Sequence, residues 1–398
     1  MKSLSDVVIL DLTHMLSGPY GAMLLTDLGA RTIKVEPLHG EATRQLLADS
    51  KDYSRQGMGA YFLTLNRGKQ SVCVDLKSEQ GREVFYDLVR HADVVFDNFS
   101  LGVTKRLKID HETLSALNPR IITCSVTGFG ETGPEPDRPA FDQVVQGLGG
   151  GMSITGLEDG PPIRSGVPIG DLGGGTFGAM GILAALYERE RTGQGRHIDV
   201  AMMDVQISLL NYMATMYLMS DIIPGRLGNG HFVHVPYNTY QTNDGYIIIA
   251  CIGDAFFEKF RQVLPLAELQ KQEYGKQPAR YANRTVIDQA IQKELLGNST
   301  AFWLEKLKSA RIPCAQVNNF KQALSDPQIV ARDMVVDVTL QSGEVVPMPG
   351  NPIKSPGLPA ACFSPPPLLG EHTEAVLTEL LGYSTETIAH LHETGAIQ

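Results

Sequence analysis

Asp171 stands in the run Arg164-Ser-Gly-Val-Pro-Ile-Gly-Asp171-Leu-Gly-Gly-Gly175, a lone carboxylate between a short apolar stretch and three consecutive glycines. A long pattern of small residues follows, with Gly170, Gly174, Gly178 and Ala185 on one helical face. The pattern predicts a helix that starts near Asp171, where free backbone N–H groups and the positive end of the helix dipole hold a carboxylate ionised. An ionised carboxylate beside bare donors has what covalent acyl chemistry requires, a nucleophile and a place for an oxyanion. Gly173, Gly174 and Gly175 are the candidate oxyanion donors, because no side chain keeps a thioester from their N–H groups. The same residue at the same place also serves as an ordinary helix N-cap.

Other reactive residue types point elsewhere. The cysteines at 73, 124, 251, 314 and 362 are scattered, odd in number and never in C-x-x-C spacing. That predicts reduced thiols in a cytoplasmic protein, with no zinc site and no metal. A formal net charge of −10 argues against a nucleic-acid partner and against anionic membranes. A polyanionic ligand would therefore need locally gathered cations. The residues from Met1 to Asp6 lack the basic start and apolar core of a signal peptide. The apolar run Leu172 to Tyr187 falls short of a membrane span, so it reads as a buried helix.

At 398 residues the chain suits two domains. In its first two hundred residues strand patterns at Val7–Leu10, Thr32–Glu36, Ser71–Asp75, Asp93–Phe96 and Ile121–Ser125 alternate with helix patterns at 20–28, 79–91 and 111–117. The alternation predicts βαβ units in a parallel, doubly wound sheet, an α/β Rossmann-like architecture. His197–Ala201 adds a strand, and Met202–Met219 reads as one Met-rich helix for a core or a dimer interface. No G-x-G-x-x-G follows the first strand, only Ser17-Gly-Pro19, so NAD chemistry is not expected. Glu36, where a ribose-binding acid could sit, reads as a surface residue. A hairpin pattern turns at Asn243-Asp-Gly245. The expected division is a large domain over 1–221, a smaller α+β domain over 222–329 and a C-terminal segment, 330–398, that returns to the large domain.

The chain resembles the family III CoA-transferases (the CaiB/BaiF family) from end to end. The matching stretches are Val8-Ile-Leu-Asp-Leu-Thr-His14 with Ser17-Gly-Pro19, Gly29-Ala-Arg-Thr-Ile-Lys-Val-Glu36, Asn66-Arg-Gly-Lys-Gln-Ser71, Asp97-Asn-Phe99, Asn118-Pro-Arg120, Gly128-Phe-Gly-Glu-Thr-Gly-Pro134, Gly170-Asp171 and Pro367-Leu-Leu-Gly-Glu-His-Thr373. The resemblance implies an interlocked homodimer in which Asp171 is the nucleophile. CoA would move between carboxylic acids through aspartyl anhydrides and an aspartyl-CoA thioester. Coenzyme A or acyl-CoA would be substrate, with no permanently bound cofactor. Matched one by one, the CoA contacts are Leu16 and Ser17, Val74 and Lys77 around the adenine, Asn98, Phe99 and Arg106, then Arg138, Phe141 and Asp142 near the thiol end.

Two departures qualify the match. Formate/oxalate-type members carry glutamine where this chain has Leu16, which argues against formyl-CoA and oxalate as its own pair. The racemases of the superfamily pair the aspartate with a histidine, and Phe141 in that position cannot take a proton, while racemisation needs two acid/base groups. A dicarboxylyl-CoA transferase with a donor such as succinyl-CoA is the expected function. An intramolecular transferase, a 2-methylacyl-CoA racemase and a non-catalytic CoA-binding protein are the alternatives. His14 and Arg164 are the foremost candidates for holding a distal carboxylate, ahead of Arg44 and His234.

Overall fold

The computed structural model describes residues 3–355 and 363–398. Six parallel strands, β1 (Val8–Asp11), β2 (Arg31–Glu36), β3 (Gln70–Cys73), β4 (Val94–Asp97), β5 (Ile122–Thr127) and β6 (His197–Ala201), form one sheet in the order β3-β2-β1-β4-β5-β6. Neighbouring residues along each strand feed opposite cores. Ile9, Val94 and Phe96 face one cluster with Ile122 and Cys124, while Leu10 and Val95 face another with Ile33 and Val72. Both faces are therefore buried, which is why these strands are near-continuous runs of apolar residues. The order reverses at β1, so β1 and β4 are neighbours whose chains leave in different directions. The crevice beyond their carboxyl ends is where open α/β sheets bind ligands.

Helices α1 (Ser17–Asp27), α2 (Glu79–Arg90), α3 (His111–Leu117), α4 (Asp142–Leu148) and α5 (Ile169–Thr192) join or follow these strands. Ser78 and Asp110 cap α2 and α3 with their side chains. Helix α5 ends at Gly193 in a left-handed conformation. With 24 residues, α5 is longer than the sequence pattern suggests, and by length and composition it could cross a membrane. In the fold Ala179, Ile182, Ala185 and Leu186 of α5 belong to the core under the sheet. Helix α5 also crosses α1 at near-contact. A Cβ on Gly21 would lie 2.5 Å from the Gly175 carbonyl oxygen, and one on Gly175 would lie 2.2 Å from that of Ser17. Only glycine allows that approach.

The expected Met-rich helix is two. Helices α6 (Met202–Leu210) and α7 (Tyr212–Ser220) are separated at Asn211, whose φ of 49° breaks the helical path. Backbone contacts group the chain into one unit of 1–151, 164–221 and 327–398 and a second of 152–163 and 222–326. Residues 152–163 thus belong with the smaller unit, against the sequence division. The smaller unit holds an antiparallel sheet of β7 (Tyr237–Gln241), β8 (Tyr246–Ala250) and β9 (Cys314–Gln316), with Thr242 N–H donating to Gly245 O across the hairpin turn. The larger unit also contains the hairpin β10 (Val335–Thr339) and β11 (Val345–Pro349). Of the cysteines, 73, 124, 251 and 314 are free, and Cys362 lies outside the described residues.

Candidate active site

Asp171 is the third residue of α5 and does not cap it. The cap comes from α4, where Asp142 Oδ1 accepts from the backbone N–H of Gly170 at 2.8 Å and of Asp171 at 3.3 Å. Gln146 donates to the other Asp142 oxygen at 2.6 Å and holds the carboxylate in place. Asp142 thus supports the start of α5 beneath Asp171, a role the sequence reading did not assign to it. Its anion and the burial of the site have a direct electrostatic result. Burial, then the neighbouring Asp142 charge, push Asp171 up to about 6. This corrects the expectation that the helix start alone would hold Asp171 firmly ionised: the dipole is already answered by Asp142.

The oxyanion role expected of Gly173, Gly174 and Gly175 also needs correction. Leu172 N–H already donates to Pro168 O at 3.0 Å, so the three glycines lie past the first turn, where helical carbonyls take the N–H groups. Their lack of side chains serves packing instead. A Cβ on Gly173 would meet Val205 at 2.7 Å, and one on Gly174 would meet Ser17 Oγ at 2.6 Å.

Asp171 opens into a cleft of about 200 Å³ lined by His14, Met15 and Ser17 after β1, Asn98 and Phe99 after β4, and Arg138 and Phe141 before α4. These loops are tied together by short polar bonds. Asn98 Oδ1 accepts from His14 N–H at 2.9 Å while Asn98 Nδ2 donates to His14 O at 2.8 Å. Asp97, buried and pushed up to about 6 by that burial, accepts from Phe99 N–H at 3.1 Å and from Ser125 at 2.8 Å. Met15 has φ of 64°, a left-handed conformation uncommon outside glycine, and it re-aims the chain into α1. Phe141 is 70% exposed on the cleft wall and offers no proton acceptor. Burial pushes the His14 imidazole below its ordinary value, which disfavours its cationic form. Arg138 is the arginine on this cleft, and it pairs with Glu135 at 2.7 Å.

His14 and Phe99, with ring centroids 5.6 Å apart, also line a second cleft of about 460 Å³. Val74, Lys77 and Arg106 lie there, so with Phe99 four of the sequence-predicted CoA contacts surround one nucleotide-sized space. Lys77 and Arg106 are exposed, which leaves them open to a phosphate. Leu16 precedes α1 between Met15 and Ser17 of the smaller cleft and does not itself line either cleft.

Arg164 is exposed, donates to Ser165 O at 3.1 Å and also lines neither cleft. Arg44 is spent inside the fold. It makes a paired contact at 2.7 Å to each oxygen of Glu36, which is itself buried rather than on the surface. His234 belongs to the smaller unit, in a separate pocket with His231 and Arg284. The residue most clearly missed is Tyr61. Its hydroxyl is pushed up to about 12 by burial and then by the charges of Asp171, Glu41 and Asp142. Nothing in its local sequence marks it. Among the described residues no group of three or more His, Cys, Asp or Glu could hold a metal.

Residues 4–373 match the model of CoA-transferase family III. The chain is 40% identical over 354 residues to an acetyl-CoA:oxalate CoA-transferase of Acetobacter aceti, covering 88% of each chain. It is 37% identical to a succinate–glutarate CoA-transferase of Agrobacterium fabrum, over 95% of each. A crystal structure of a CaiB/BaiF family protein from Brucella suis matches with a TM-score of 0.85 at 36% identity, covering 95% of this chain and 99% of that one.

Proposed function

The chain belongs to CoA-transferase family III and is an enzyme that transfers CoA, and from that premise we propose that it moves CoA from succinyl-CoA or a similar dicarboxylyl-CoA to a second dicarboxylic acid, with Asp171 as the covalent carrier. The observation that carries this reading is the placement of Asp171. A single raised carboxylate opens into a small cleft that shares His14 and Phe99 with a larger, cation-bearing one. In this reading the CoA nucleotide occupies the larger cleft, with Val74 beside the adenine and Lys77 and Arg106 on phosphates, and the acyl end reaches the smaller.

The carboxylate attacks the thioester carbonyl and CoA leaves as thiolate, giving an acyl-aspartyl anhydride. The retained thiolate then attacks the aspartyl carbonyl, forming aspartyl-CoA thioester and freeing the first acid. The acceptor carboxylate attacks that thioester and expels CoA thiolate, giving a second aspartyl anhydride, and attack of the thiolate on its acyl carbonyl forms the product acyl-CoA and frees the Asp171 carboxylate. A carboxylate is a weak nucleophile, and held alignment of the partners supplies on the order of 7–11 kcal/mol. The names of both relatives include a dicarboxylic acid. Arg138 replaces Arg164 as our candidate for the distal carboxylate, because Arg138 lines the small cleft and its ion pair with Glu135 is solvent-exposed. Phe141 supports transfer over racemisation, having no base to offer the second face. The free cysteines, three of them buried, support a reducing cytoplasmic setting.

The test is a panel of acyl-CoA donors against oxalate, succinate, glutarate and monocarboxylates of equal length, read by mass spectrometry with hydroxylamine trapping. Dicarboxylates are expected to be favoured roughly ten- to a hundredfold, the worth of one charge-assisted hydrogen bond. Arg138→Met should erase that preference through KM. An adduct mapping to any residue other than Asp171, or equal use of butyrate and succinate, would refute the reading.

A further inference from the structure

The small cleft needs a donor for the developing oxyanion, and the glycines of α5 do not supply one. Ser17 does have what is required. It is the first residue of α1, 4% exposed, and its Oγ has no hydrogen-bond partner among the described residues. A buried hydroxyl left unbonded costs free energy, so its persistence at a reactive site calls for a bond made only with substrate. Ser17 lines the same cleft as Asp171. Its Oγ lies 2.6 Å from the position a Gly174 Cβ would take. Gly174 is three residues on from Asp171, so those two positions are neighbours on one helix face, about 5–6 Å apart. Any side chain at 174 would occupy the space of the hydroxyl.

We propose that Ser17 Oγ–H is the catalytic hydrogen-bond donor to the oxyanion formed at the Asp171 centre. The proposal rests on Asp171 being the nucleophile. When the Asp171 oxygen bonds to the thioester carbon, the carbonyl π pair moves onto oxygen, and the Ser17 hydroxyl donates to it while keeping its own proton. Collapse of the intermediate re-forms the C=O bond, breaks the C–S bond and releases thiolate, and Ser17 is left unchanged. The hydroxyl adds no charge to the cleft, so it does not compete with the substrate carboxylate for a cation. It waits without a protein partner and so has no ground-state bond to break before it acts, a form of preorganisation.

The full chain carrying Ser17→Ala separates this role from a structural one. Deleting an unbonded buried hydroxyl is expected to leave the melting temperature unchanged or raise it. The value of kcat should fall about 10²- to 10³-fold, the effect of losing one oxyanion donor, with KM for the acyl-CoA within about threefold of wild type. Single-turnover trapping should still map the adduct to Asp171, but its formation should slow by the same factor. Adduct formation on Asp171 at the wild-type rate in Ser17→Ala would overturn the proposal while leaving the nucleophile intact. So would a loss confined to KM, or a fall in activity that tracks a fall in melting temperature. If the wild type forms no adduct on Asp171, the nucleophile assignment fails first and the Ser17 role falls with it.

Discussion

Asp171 is a residue whose environment works against its own charge. Folded, it takes up a proton at about 6, against 3.8 for the unperturbed side chain. In the mechanism we propose transfer requires the carboxylate, so the rate should rise through about pH 6 and level off above it, standing near a tenth of its plateau at pH 5. The same shift bears on stability. Between about pH 4 and 6 the folded state binds more protons than the unfolded one, so stability is lost as pH rises across that window. Two pH units correspond to about 2.7 kcal/mol, and water in the open cleft takes part of that. Asp171→Asn should therefore be inactive yet about 1–2 kcal/mol more stable at pH 7.5, with the gain gone at pH 4, as denaturant titrations at both values would show. Equal stability at pH 7.5 would mean the site does not strain the carboxylate. The Asp171 motif, our proposed nucleophile, was legible in sequence because its glycines are adjacent to it in the chain. The capping role of Asp142 was not, because it depends on a contact to backbone 28 residues away.

At the scale of elements, the site depends on how α1 and α5 cross. Helix α1 brings Ser17 and α5 brings Asp171, and the two meet where Gly21 faces Gly175. A methyl group on Gly175 would sit 2.2 Å from a backbone oxygen, which cannot rotate aside, so the helices must part. Gly175→Ala should cost about 2–3 kcal/mol and lower activity by displacing the Ser17 backbone relative to Asp171. Gly166→Ala, where nothing lies within 4 Å of the added carbon, should stay within about 0.5 kcal/mol of wild type. Comparable stability of both variants by thermal denaturation would show that α1 and α5 can separate freely. The glycine stripe was visible in sequence as a close-packing face, and the strands were visible as Val/Ile runs because parallel strands buried on both sides leave that mark. The break at Asn211 was not, since nothing in an apolar Met-rich run announces a φ of 49° there.

On the scale of the whole chain, α7 is the element that one copy leaves unaccounted for. Its nine residues are mostly apolar and none is buried, with Leu218 80% and Met219 82% exposed. A helix that is apolar on all sides belongs in an interior, and contiguous exposed apolar surface marks an interaction site. We propose that a second copy of this chain covers it, in the homodimer that the family resemblance implies. The division into units shows why sequence alone did not draw the boundary correctly. Residues 152–163 join the smaller unit by contacts such as Gly228 N–H to Gly156 O at 2.9 Å, and neither composition nor periodicity reports a pairing over that distance. Covering α7 should remove Leu218 and Met219 from water, each worth about 1.5–3 kcal/mol when fully buried. The double variant Leu218→Arg, Met219→Arg should therefore dissociate at concentrations where wild type does not, as light scattering coupled to size exclusion would show. Because both residues lie outside the clefts that hold CoA in our reading, a parallel loss of transfer in the dissociated variant would mean that assembly completes the site. A wild-type chain that elutes with the mass of one copy at micromolar concentration would refute the dimer.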